Sequence, residues 1–452
     1  MSMIKLRFAP SPTGFLHLGG LRTALYNFLF ARKHNGSFVL RIEDTDQSRI
    51  VKDSKADILS KLTLFGLSFD SVITQSMRLN LYKDASEYLV DGDHAYPCFC
   101  SQSRLQSLRR QQLSKGIGTG YDRLCHNIPK HIAKKRTKDE PYSVRLKMPS
   151  GKISFLDLVY GPLEFNSDLN DPVILKQDGF PTYHLANVVD DLNTDITHVM
   201  RGEEWINSTP KHLVLHEALS KYYKKQIPQF AHLPLLMNSK GHKISKRDLN
   251  MSTLDTLLEK YEPEAILNFI AFLGWQPPKE NANEILSLEN LVGLFDLKDI
   301  NTSRPKVLLQ KLDFFQKYHF KDKLSGQTAE LTQLLKSKYP NNNYSTHQLG
   351  RIILACGAGV SEKAGLLQDA HPFFSDNFIL KFSNDDHDTF SKQVLDYWNT
   401  NFDISFKDYP NKGKLSKFVR YGLTGRTTGP PISLYMELLG KDECIRRIQR
   451  LN

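Results

Sequence analysis

The sequence predicts a multidomain protein in which an α/β domain with a parallel sheet is followed by an all-α region. Three observations predict this class. The first 50 residues are typical of strand, glycine-containing turn, helix and strand in that order. Between about residues 91 and 185 the pattern changes to polar runs and short strand-like pieces. From residue 253 onward, apolar residues recur at helical spacing almost throughout.

The N-terminal part supplies the α/β pattern. Residues 3–9 alternate in polarity and predict a short strand, and residues 37–42 predict a second one. Apolar residues at helical spacing predict a helix from about 20 to 34 between them. This order is typical of the opening of a Rossmann-like nucleotide-binding domain. Residues 53–90 continue as helices around a short connection at 66–71.

The middle and the end of the chain predict further domains. Strand-like pieces at 142–147, 152–159 and 173–176 indicate an α+β insertion with a sheet of its own. The first pattern then resumes with a strand at 195–200 and a helix at 209–220. We therefore divide the chain into a Rossmann-like domain split between 1–90 and 183–250, an inserted domain at 91–182, and two helical regions at 251–310 and 311–452.

Composition limits the class of protein. A chain of 452 residues is too long for one compact core. Five cysteines are too few for a disulfide framework, which indicates a reducing compartment, and no apolar run is long enough for a membrane span. The net charge of +11 fits a nucleic-acid partner, although solubility explains it equally well. Only six residues precede the first motif, so either no presequence existed or it was removed.

The first motif runs from Arg7 to Gly20, as Arg-Phe-Ala-Pro-Ser-Pro-Thr-Gly-Phe-Leu-His-Leu-Gly-Gly. Two prolines stiffen a turn after the predicted strand. Gly19 and Gly20 would present the unpaired amides of a helix N-terminus to an anion such as a phosphate. On the glycines alone, an ordinary strand-to-helix turn with an incidental His17 is the more common interpretation.

The second motif is Lys243-Ile244-Ser245-Lys246-Arg247, preceded by Gly241 and His242. A glycine-led cationic loop can close over a triphosphate and stabilise charge on departing pyrophosphate. Taken alone it is a weak signal, because basic loops are usually only solvated.

Together the two motifs resemble those of class I aminoacyl-tRNA synthetases, in the bacterial-type glutamyl branch. The His-Ile-Gly-His element of that class corresponds here to His17-Leu18-Gly19-Gly20, and its Lys-Met-Ser-Lys-Ser loop corresponds to Lys243–Arg247. The resemblance implies ATP as a substrate, with Mg²⁺. It implies catalytic roles for His17, Lys243 and Lys246. The implied ATP-binding residues are His17, Gly19, Gly20, Glu204, Lys243, Ser245, Lys246 and Arg247.

A glutamate pocket needs arginine for the carboxylates and an acid for the ammonium group. The resemblance implies that the glutamate-binding residues are Arg7, Ala9, Ser11, Glu43, Tyr183, Asn187 and Arg201. Two alternatives remain open at this stage. Tyr183 could pack in the core, and Arg201 could pair structurally with Asp190 or Asp191.

The implied reaction is ATP-dependent ligation of L-glutamate to tRNA-Glu through glutamyl-adenylate, with release of AMP and pyrophosphate. The insertion would bind the acceptor stem of the tRNA. Residues 251–310 would contact its stem, and residues 311–452 would bind its anticodon. Charging of tRNA-Gln stays open, as does whether Arg420 and Arg426 touch RNA or cap helices. A glutaminyl enzyme and a catalytically inactive tRNA-binding protein are the rival hypotheses. We expect a monomer without a membrane partner, in the mitochondrial matrix or, alternatively, the bacterial cytoplasm.

The cysteines raise the question of zinc, which prefers four nitrogen or sulfur ligands. Some bacterial relatives carry a Cys-x-Cys…Cys-x-His site in this insertion. Here Cys98, Cys100 and Cys125 fit the pattern, but Asn127 stands where the histidine is expected and His126 adjoins Cys125. The sequence therefore favours no zinc.

Overall fold

The computed structural model describes residues 3–167, 170–244, 254–278, 284–357, 363–376, 387–406 and 409–451. The chain divides into two compact units. One consists of Met1–Glu259 with Leu267–Leu308, and the other of Lys260–Ile266 with Leu309–Asn452. Among the described residues, no helix combines the length and the apolar character that a membrane span requires.

All named strands belong to the first unit. They are β1 (Lys5–Phe8), β2 (Ser37–Ile42), β3 (Ser71–Thr74), β4 (Ala95–Cys98), β5 (Ser143–Leu146), β6 (Lys152–Asp157), β7 (Gly161–Asn166), β8 (Val173–Leu175), β9 (His198–Gly202) and β10 (Gln229–Leu233). The helices before residue 309 are α1 (Leu18–Lys33), α2 (Ser54–Leu64), α3 (Leu79–Asp91), α4 (Gln102–Ser114), α5 (Lys130–Arg136), α6 (Tyr183–Asn193), α7 (Thr209–Tyr223), α8 (Leu254–Leu258), α9 (Pro263–Ala271) and α10 (Leu288–Leu294).

A parallel sheet organises the first unit, as predicted. β1 pairs with β2, β2 with β3, and β9 with β10, all in parallel. The backbone N–H of Thr197 donates to the carbonyl of Lys5 at 2.9 Å, which places β9 beside β1. The order is therefore β3-β2-β1-β9-β10, and the carboxyl ends of these strands meet at one edge, where ligands bind in such folds.

Strand β3 corrects the prediction that residues 53–90 are helical apart from a connection at 66–71. It comprises only Ser71–Thr74, and its first two residues are exposed. A four-residue strand of this kind has no alternation long enough to detect.

The inserted segment has its own antiparallel sheet, in the order β4-β5-β8. The hairpin β6–β7 belongs to the same segment, yet β6 pairs in parallel with β10, with Asp157 opposite Phe230. Buried apolar residues of α3, α6 and α7 pack against the β4-β5-β8 sheet, including Leu89, Leu185 and Leu215. The insertion is thus joined to the parallel sheet by backbone hydrogen bonds, and it packs against helices α3, α6 and α7.

The described residues after 253 are mostly helical, as predicted, and contain no named strand. The second unit contains α11 (Leu309–Lys338), α12 (Thr346–Gly357), α13 (Lys363–Phe374), α14 (His387–Thr400), α15 (Lys412–Thr424), α16 (Ile432–Leu439) and α17 (Lys441–Gln449). All seven helices contribute to one apolar core, which includes Phe320, Trp398 and Tyr435.

Candidate active site

His17 occupies the N-cap position of α1, directly after the turn that follows β1. Its Nδ1 atom accepts a hydrogen bond from the backbone N–H of Gly20 at 3.1 Å. A neutral imidazole that accepts on Nδ1 carries its proton on Nε2, so the outer nitrogen is a donor. His17 is exposed, and it stands at the positive end of the α1 dipole.

The two glycines leave the backbone beside His17 accessible. A Cβ atom at Gly19 would lie 3.4 Å from the His17 ring, and one at Gly20 would lie 3.1 Å from Cδ1 of Leu16. Side chains at these positions would crowd the turn. The arrangement suits a phosphate at the helix N-terminus.

The second motif lies on the segment that follows β10, beginning ten residues after Leu233. The N–H of Ile244 donates to the carbonyl of Leu236 at 3.2 Å, and Lys243 forms an antiparallel bridge with Met237. Gly241 has φ +81° within this tight turn. Lys243 is exposed, whereas Ser245, Lys246 and Arg247 lie outside the described residues.

The two motifs lie next to each other. Cδ1 of Leu236, at the base of the second motif, is 4.0 Å from the position that a Cβ atom at Gly19 would take. The guanidinium of Arg22 on α1 also donates to the carbonyl of Pro234, which directly follows β10. The segment that leads into the second motif therefore lies beside the N-terminal part of α1.

A buried ion network fills the centre of this edge. Arg7 Nε donates to Asp191 at 3.0 Å, and Arg41 Nη1 donates to the same carboxylate at 2.6 Å. Arg41 Nη2 also donates to Glu43 Oε1 at 3.2 Å. Burial alone would raise the pKa of Asp191, but Arg41 and Arg7 lower it to about 2.

Glu43 directly follows β2, and only one of its carboxylate oxygens takes part in the network. Its Oε1 accepts from Arg41 and from Nδ2 of Asn187, at 3.3 Å for the latter. Its Oε2 has no hydrogen-bond partner among the described residues. Burial raises the pKa of Glu43, although Arg41 and Arg7 act in the opposite direction. A ligand ammonium at Oε2 would favour the ionised form.

Arg201, at the end of β9, is 5% exposed and contacts only neutral groups. Its Nη1 donates to the Tyr183 hydroxyl and to His212 Nδ1, at 3.0 Å each, and its Nε donates to His232 Nε2 at 3.1 Å. Within the described part of the chain, no carboxylate lies at salt-bridge distance from it. Burial lowers the pKa of Arg201 below its ordinary value.

The charges around this site leave Arg201 uncompensated. Three arginines pair with three carboxylates in the neighbouring network, namely Arg7, Arg41, Arg78, Glu43, Asp190 and Asp191. A buried cation without an anion is costly, so such a pocket favours a ligand that brings one negative charge.

The remaining predicted residues line the same edge. Ala9 is half-buried and Ser11 is exposed, in a loop whose Pro10 carbonyl accepts from the N–H of Glu43 at 3.0 Å. Glu204 is exposed, and its carboxylate folds over Gly202, where a Cβ atom would lie 2.1 Å from Oε2.

Two details differ from the alternatives that the sequence left open. Arg201 does not pair with Asp190 or Asp191, since Asp191 binds Arg7 and Arg41 while Asp190 binds Arg78 at 2.9 Å. The hydroxyl of Tyr183 reaches Arg201, so this ring is more than core packing.

Sequence reasoning missed Arg41, Asp157 and His232. Arg41 could have been found, because residues two apart on a strand share a face and Glu43 was already a candidate. Asp157 and His232 carry no motif. Their role depends on the pairing of β6 with β10, which is not visible in the sequence.

The three cysteines of the insertion converge. Their sulfur atoms all lie within 4.8 Å of one another, and Cys100 Sγ is 3.7 Å from Cys125 Sγ. The Tyr121 hydroxyl lies 3.4 Å from Cys98 Sγ and 3.5 Å from Cys100 Sγ. His126 instead bonds Asn127 through Nδ1 at 2.9 Å. Tyr121 thus supplies a fourth donor where the sequence showed none.

Comparisons with known proteins agree with this architecture. Residues 3–314 match the family model of the catalytic domain of class I tRNA synthetases (E and Q), and residues 407–452 match an anticodon-binding domain. A glutamate–tRNA ligase of Alkaliphilus metalliredigens is 35% identical over 99% of both chains, and one of Clostridioides difficile is 35% identical over 98% of both. A crystal structure of a glutamate tRNA ligase from Elizabethkingia meningosepticum, in complex with its amino acid, superposes with a TM-score of 0.86. That structure is 30% identical and covers 100% of this chain and 99% of its own.

Proposed function

The chain belongs to the class I tRNA synthetases for glutamate and glutamine, and we propose from this premise that the site at the sheet edge makes glutamyl-adenylate. The enzyme is a glutamate–tRNA ligase that uses ATP, as its full-length similarity to such ligases indicates. The observation that carries the assignment of the pocket is the buried, uncompensated charge of Arg201. Glutamate brings one net negative charge and glutamine brings none, so this pocket favours glutamate.

The geometry supports a specific placement of glutamate. Glu43 Oε2 is open to the pocket and suits the α-ammonium group. Arg201 and the Tyr183 hydroxyl suit the side-chain carboxylate, because the hydroxyl accepts from Arg201 and keeps its own proton to donate. A carboxylate is also a stronger acceptor than the Trp205 carbonyl, which Arg201 Nη2 contacts at only 3.4 Å.

The chemistry requires no side-chain nucleophile. The α-carboxylate of glutamate attacks the α-phosphorus of ATP, and the bond to pyrophosphate breaks. We propose that Nε2–H of His17 and the amides at Gly19 and Gly20 bind the phosphates. Lys243, with Ser245, Lys246 and Arg247 beyond the described residues, would neutralise the leaving group, and Mg²⁺ would bind its oxygens. A terminal hydroxyl of tRNA, the 2′-OH by the habit of the class, then takes the glutamyl group and releases AMP.

The helical second unit fits anticodon binding. Arg420, one of the two candidate RNA contacts, donates to the Pro430 carbonyl at 2.7 Å, and Arg426 pairs with Asp369. These contacts support a structural role for both arginines, in preference to a direct role in binding RNA.

For the insertion we propose a bound zinc ion, which reverses the expectation from the sequence. That expectation rested on a missing fourth ligand. The ligands would be Cys98, Cys100, Cys125 and the Tyr121 oxygen, a donor set dominated by the thiolates that zinc prefers. Arg145 Nε donates to Cys98 Sγ at 3.3 Å, so a cation already faces the charge that the thiolates would carry. The ion would fasten the 121–125 loop onto β4.

Location and assembly follow from weaker observations. The net charge of +11 favours the mitochondrial matrix, with the bacterial cytoplasm as the alternative, and the relatives named above are bacterial. We propose a monomer. Imaging of the tagged protein in its source cells tests the location, and light scattering tests the assembly. A signal in the cytosol of a eukaryotic source cell would contradict the proposed location, and a dimer mass would contradict the proposed monomer.

Aminoacylation tests the proposed function. Purified enzyme is supplied with ATP, with glutamate or glutamine, and with tRNA-Glu or tRNA-Gln. We expect tRNA-Glu to be charged with glutamate and not with glutamine; whether tRNA-Gln also accepts glutamate is the open question of this experiment. Charging of tRNA-Gln with glutamate would extend the function, whereas preference for glutamine would contradict it. Absence of tRNA-dependent pyrophosphate exchange would favour an inactive tRNA-binding protein.

A further inference from the structure

Three buried side chains form a row behind the proposed glutamate pocket. His232 on β10 lies between Asp157 on β6 and Arg201 on β9. Its Nδ1 is 2.6 Å from Asp157 Oδ2, and its Nε2 is 3.1 Å from Arg201 Nε. Asp157 and His232 are almost completely buried, at 1% and 0% exposure.

The neighbours of His232 decide where its proton sits: Asp157 lies at Nδ1, and both Arg201 and the Thr209 hydroxyl, at 3.3 Å, lie at Nε2. Arginine can only donate, so Nε2 must accept from Arg201. An ionised carboxylate can only accept, so Nδ1 must carry the hydrogen that Asp157 receives. Burial lowers the pKa of His232 although Asp157 opposes this, which keeps the ring neutral. The pKa of Asp157 is lowered by hydrogen bonds from His232 and from backbone amides, which outweigh its burial.

The neutral ring keeps the Asp157 charge away from the guanidinium. A carboxylate in the place of His232 would pair with Arg201 and remove the uncompensated charge that favours glutamate. The imidazole instead fixes the orientation of Arg201 through a directional hydrogen bond. His212 acts in the same way on Nη1 and passes a hydrogen bond to His184 Nδ1 at 3.1 Å.

We propose that Asp157 and His232 are positioning residues for glutamate recognition: Asp157 sets the tautomer of His232, and His232 orients Arg201 without neutralising it. The inference rests on the proposed placement of the glutamate side chain at Arg201. It assigns to a residue of the inserted segment a part in the choice of amino acid.

Asp157→Asn is a sharp test because the amide can take only one orientation. Asp157 Oδ1 accepts from the backbone N–H groups of Val159 and Tyr160, at 3.0 and 2.9 Å, so the amide oxygen must stay there. The amide nitrogen then faces His232 Nδ1 and moves the ring proton to Nε2, where it opposes the N–H of Arg201. We expect KM for glutamate to rise about tenfold, the scale of one hydrogen bond to a charged group, with KM for ATP and kcat unchanged.

His232→Gln supplies the rescue. Its amide oxygen can take the place of Nε2 and accept from Arg201 whatever Asp157 becomes. We therefore expect the double variant Asp157→Asn with His232→Gln to have a lower KM for glutamate than Asp157→Asn alone. Asp93→Asn is the matched control, because it makes the same change at an exposed carboxylate of the insertion that pairs with Lys147.

Other outcomes overturn the proposal. An unchanged KM for glutamate in Asp157→Asn would overturn it. Equal increases in KM for glutamate and for ATP, together with a lower Tm, would also overturn it, because they indicate a general loss of structure. If Asp157→Asn does not fold, His232→Gln is compared with the shorter His232→Asn, and equal KM values for glutamate would refute the role. Arg201→Gln distinguishes a wrong placement of the substrate from a wrong positioning role. If that variant also leaves glutamate binding unchanged, the placement of the substrate is wrong; if it alone weakens binding, only the positioning role is wrong.

Discussion

The imidazole of His17 and the backbone N–H of Gly20 form the N-terminal cap of α1, with Nδ1 of the ring 3.1 Å from the amide nitrogen. One nitrogen of the ring therefore serves the helix and the other can serve ATP. The two roles can be separated because asparagine is a good N-cap residue and lacks a donor in the place of Nε2.

We predict that His17→Asn keeps the stability of the enzyme but lowers the rate of adenylate formation by about 10²-fold, the scale of one lost transition-state contact. His17→Ala should lose about 1 kcal/mol of stability in addition, because the cap is lost as well. Pyrophosphate exchange in the presence of tRNA and thermal unfolding measure the two effects. Normal exchange in His17→Asn would remove the ring from the ATP site.

Arg201→Gln should weaken glutamate binding about 10²-fold and reduce discrimination against glutamine, because it removes the buried cation and retains an amide donor. KM for each amino acid in the exchange assay measures this change. Arg32→Gln is the control, since it alters an arginine whose surface partner is Asp70. A variant at Arg201 that still rejects glutamine as the wild type does would contradict the charge argument.

Lys246→Ala should cut adenylate formation strongly and leave tRNA binding nearly intact, and Lys243→Ala should act in the same direction. Both cations are proposed to neutralise the leaving pyrophosphate and not to hold RNA. Lys240→Ala is the control, because this exposed lysine belongs to the same turn. Exchange assays and filter binding of tRNA separate the two functions. A wild-type exchange rate in the Lys246 variant would refute the assignment of the loop.

The stability of the enzyme should fall as the pH drops from about 6.5 to about 4. Burial lowers the pKa of His184 and of His216 to about 4, so the unfolded chain takes up protons in this window before the native state does. Both ring nitrogens of His216 are buried and have no hydrogen-bond partner among the residues that the structure describes. His216→Leu should therefore make the free energy of unfolding less dependent on pH. It should remove roughly 3 kcal/mol of the loss in stability that the wild type suffers between pH 6.5 and pH 4. Denaturant titrations at several pH values measure it, and an unchanged slope would show that another group is responsible.

Metal analysis should find about one zinc per chain, consistent with a four-donor site. Cys125→Ser should lose the ion and lower Tm, while Cys356→Ser, which alters a buried cysteine of the second unit, should keep it. Tyr121→Phe should weaken zinc binding with little change in packing. Metal-free enzyme with an unchanged Tm in Cys125→Ser would restore the expectation from the sequence.

The sequence predicted the parts of this site that local rules determine. The strand, the stiff turn and the helix start around His17 all follow from the sequence, but its role as the N-cap was not predicted, because histidine is not a usual N-cap residue. The turn before Lys243 is likewise marked by Gly241. Contacts between distant segments were not predictable in this way. From the sequence alone, Asp191 could have paired with any of the arginines of this region. Only the strand order decides that it binds Arg7 and Arg41.

The zinc expectation shows a different limit. Spacing rules search for a histidine or a fourth cysteine near the other ligands. Tyr121 is a residue type that such rules do not consider, and it comes near the sulfurs only because the chain returns to β4 after α4. Similarly, the exposed four-residue strand β3 has too little pattern of its own, and it is recognisable only through its pairing with β2.

The pairing of β6 with β10 has a consequence for engineering. A chimera that exchanges the whole segment 91–182 for a foreign one would also remove Asp157 and open an edge of the parallel sheet. Exchange of only the part that contains β4, β5 and the cysteines, with the β6–β7 hairpin retained, leaves both in place. The border at which this enzyme can be recombined therefore lies inside the inserted segment and not at its ends.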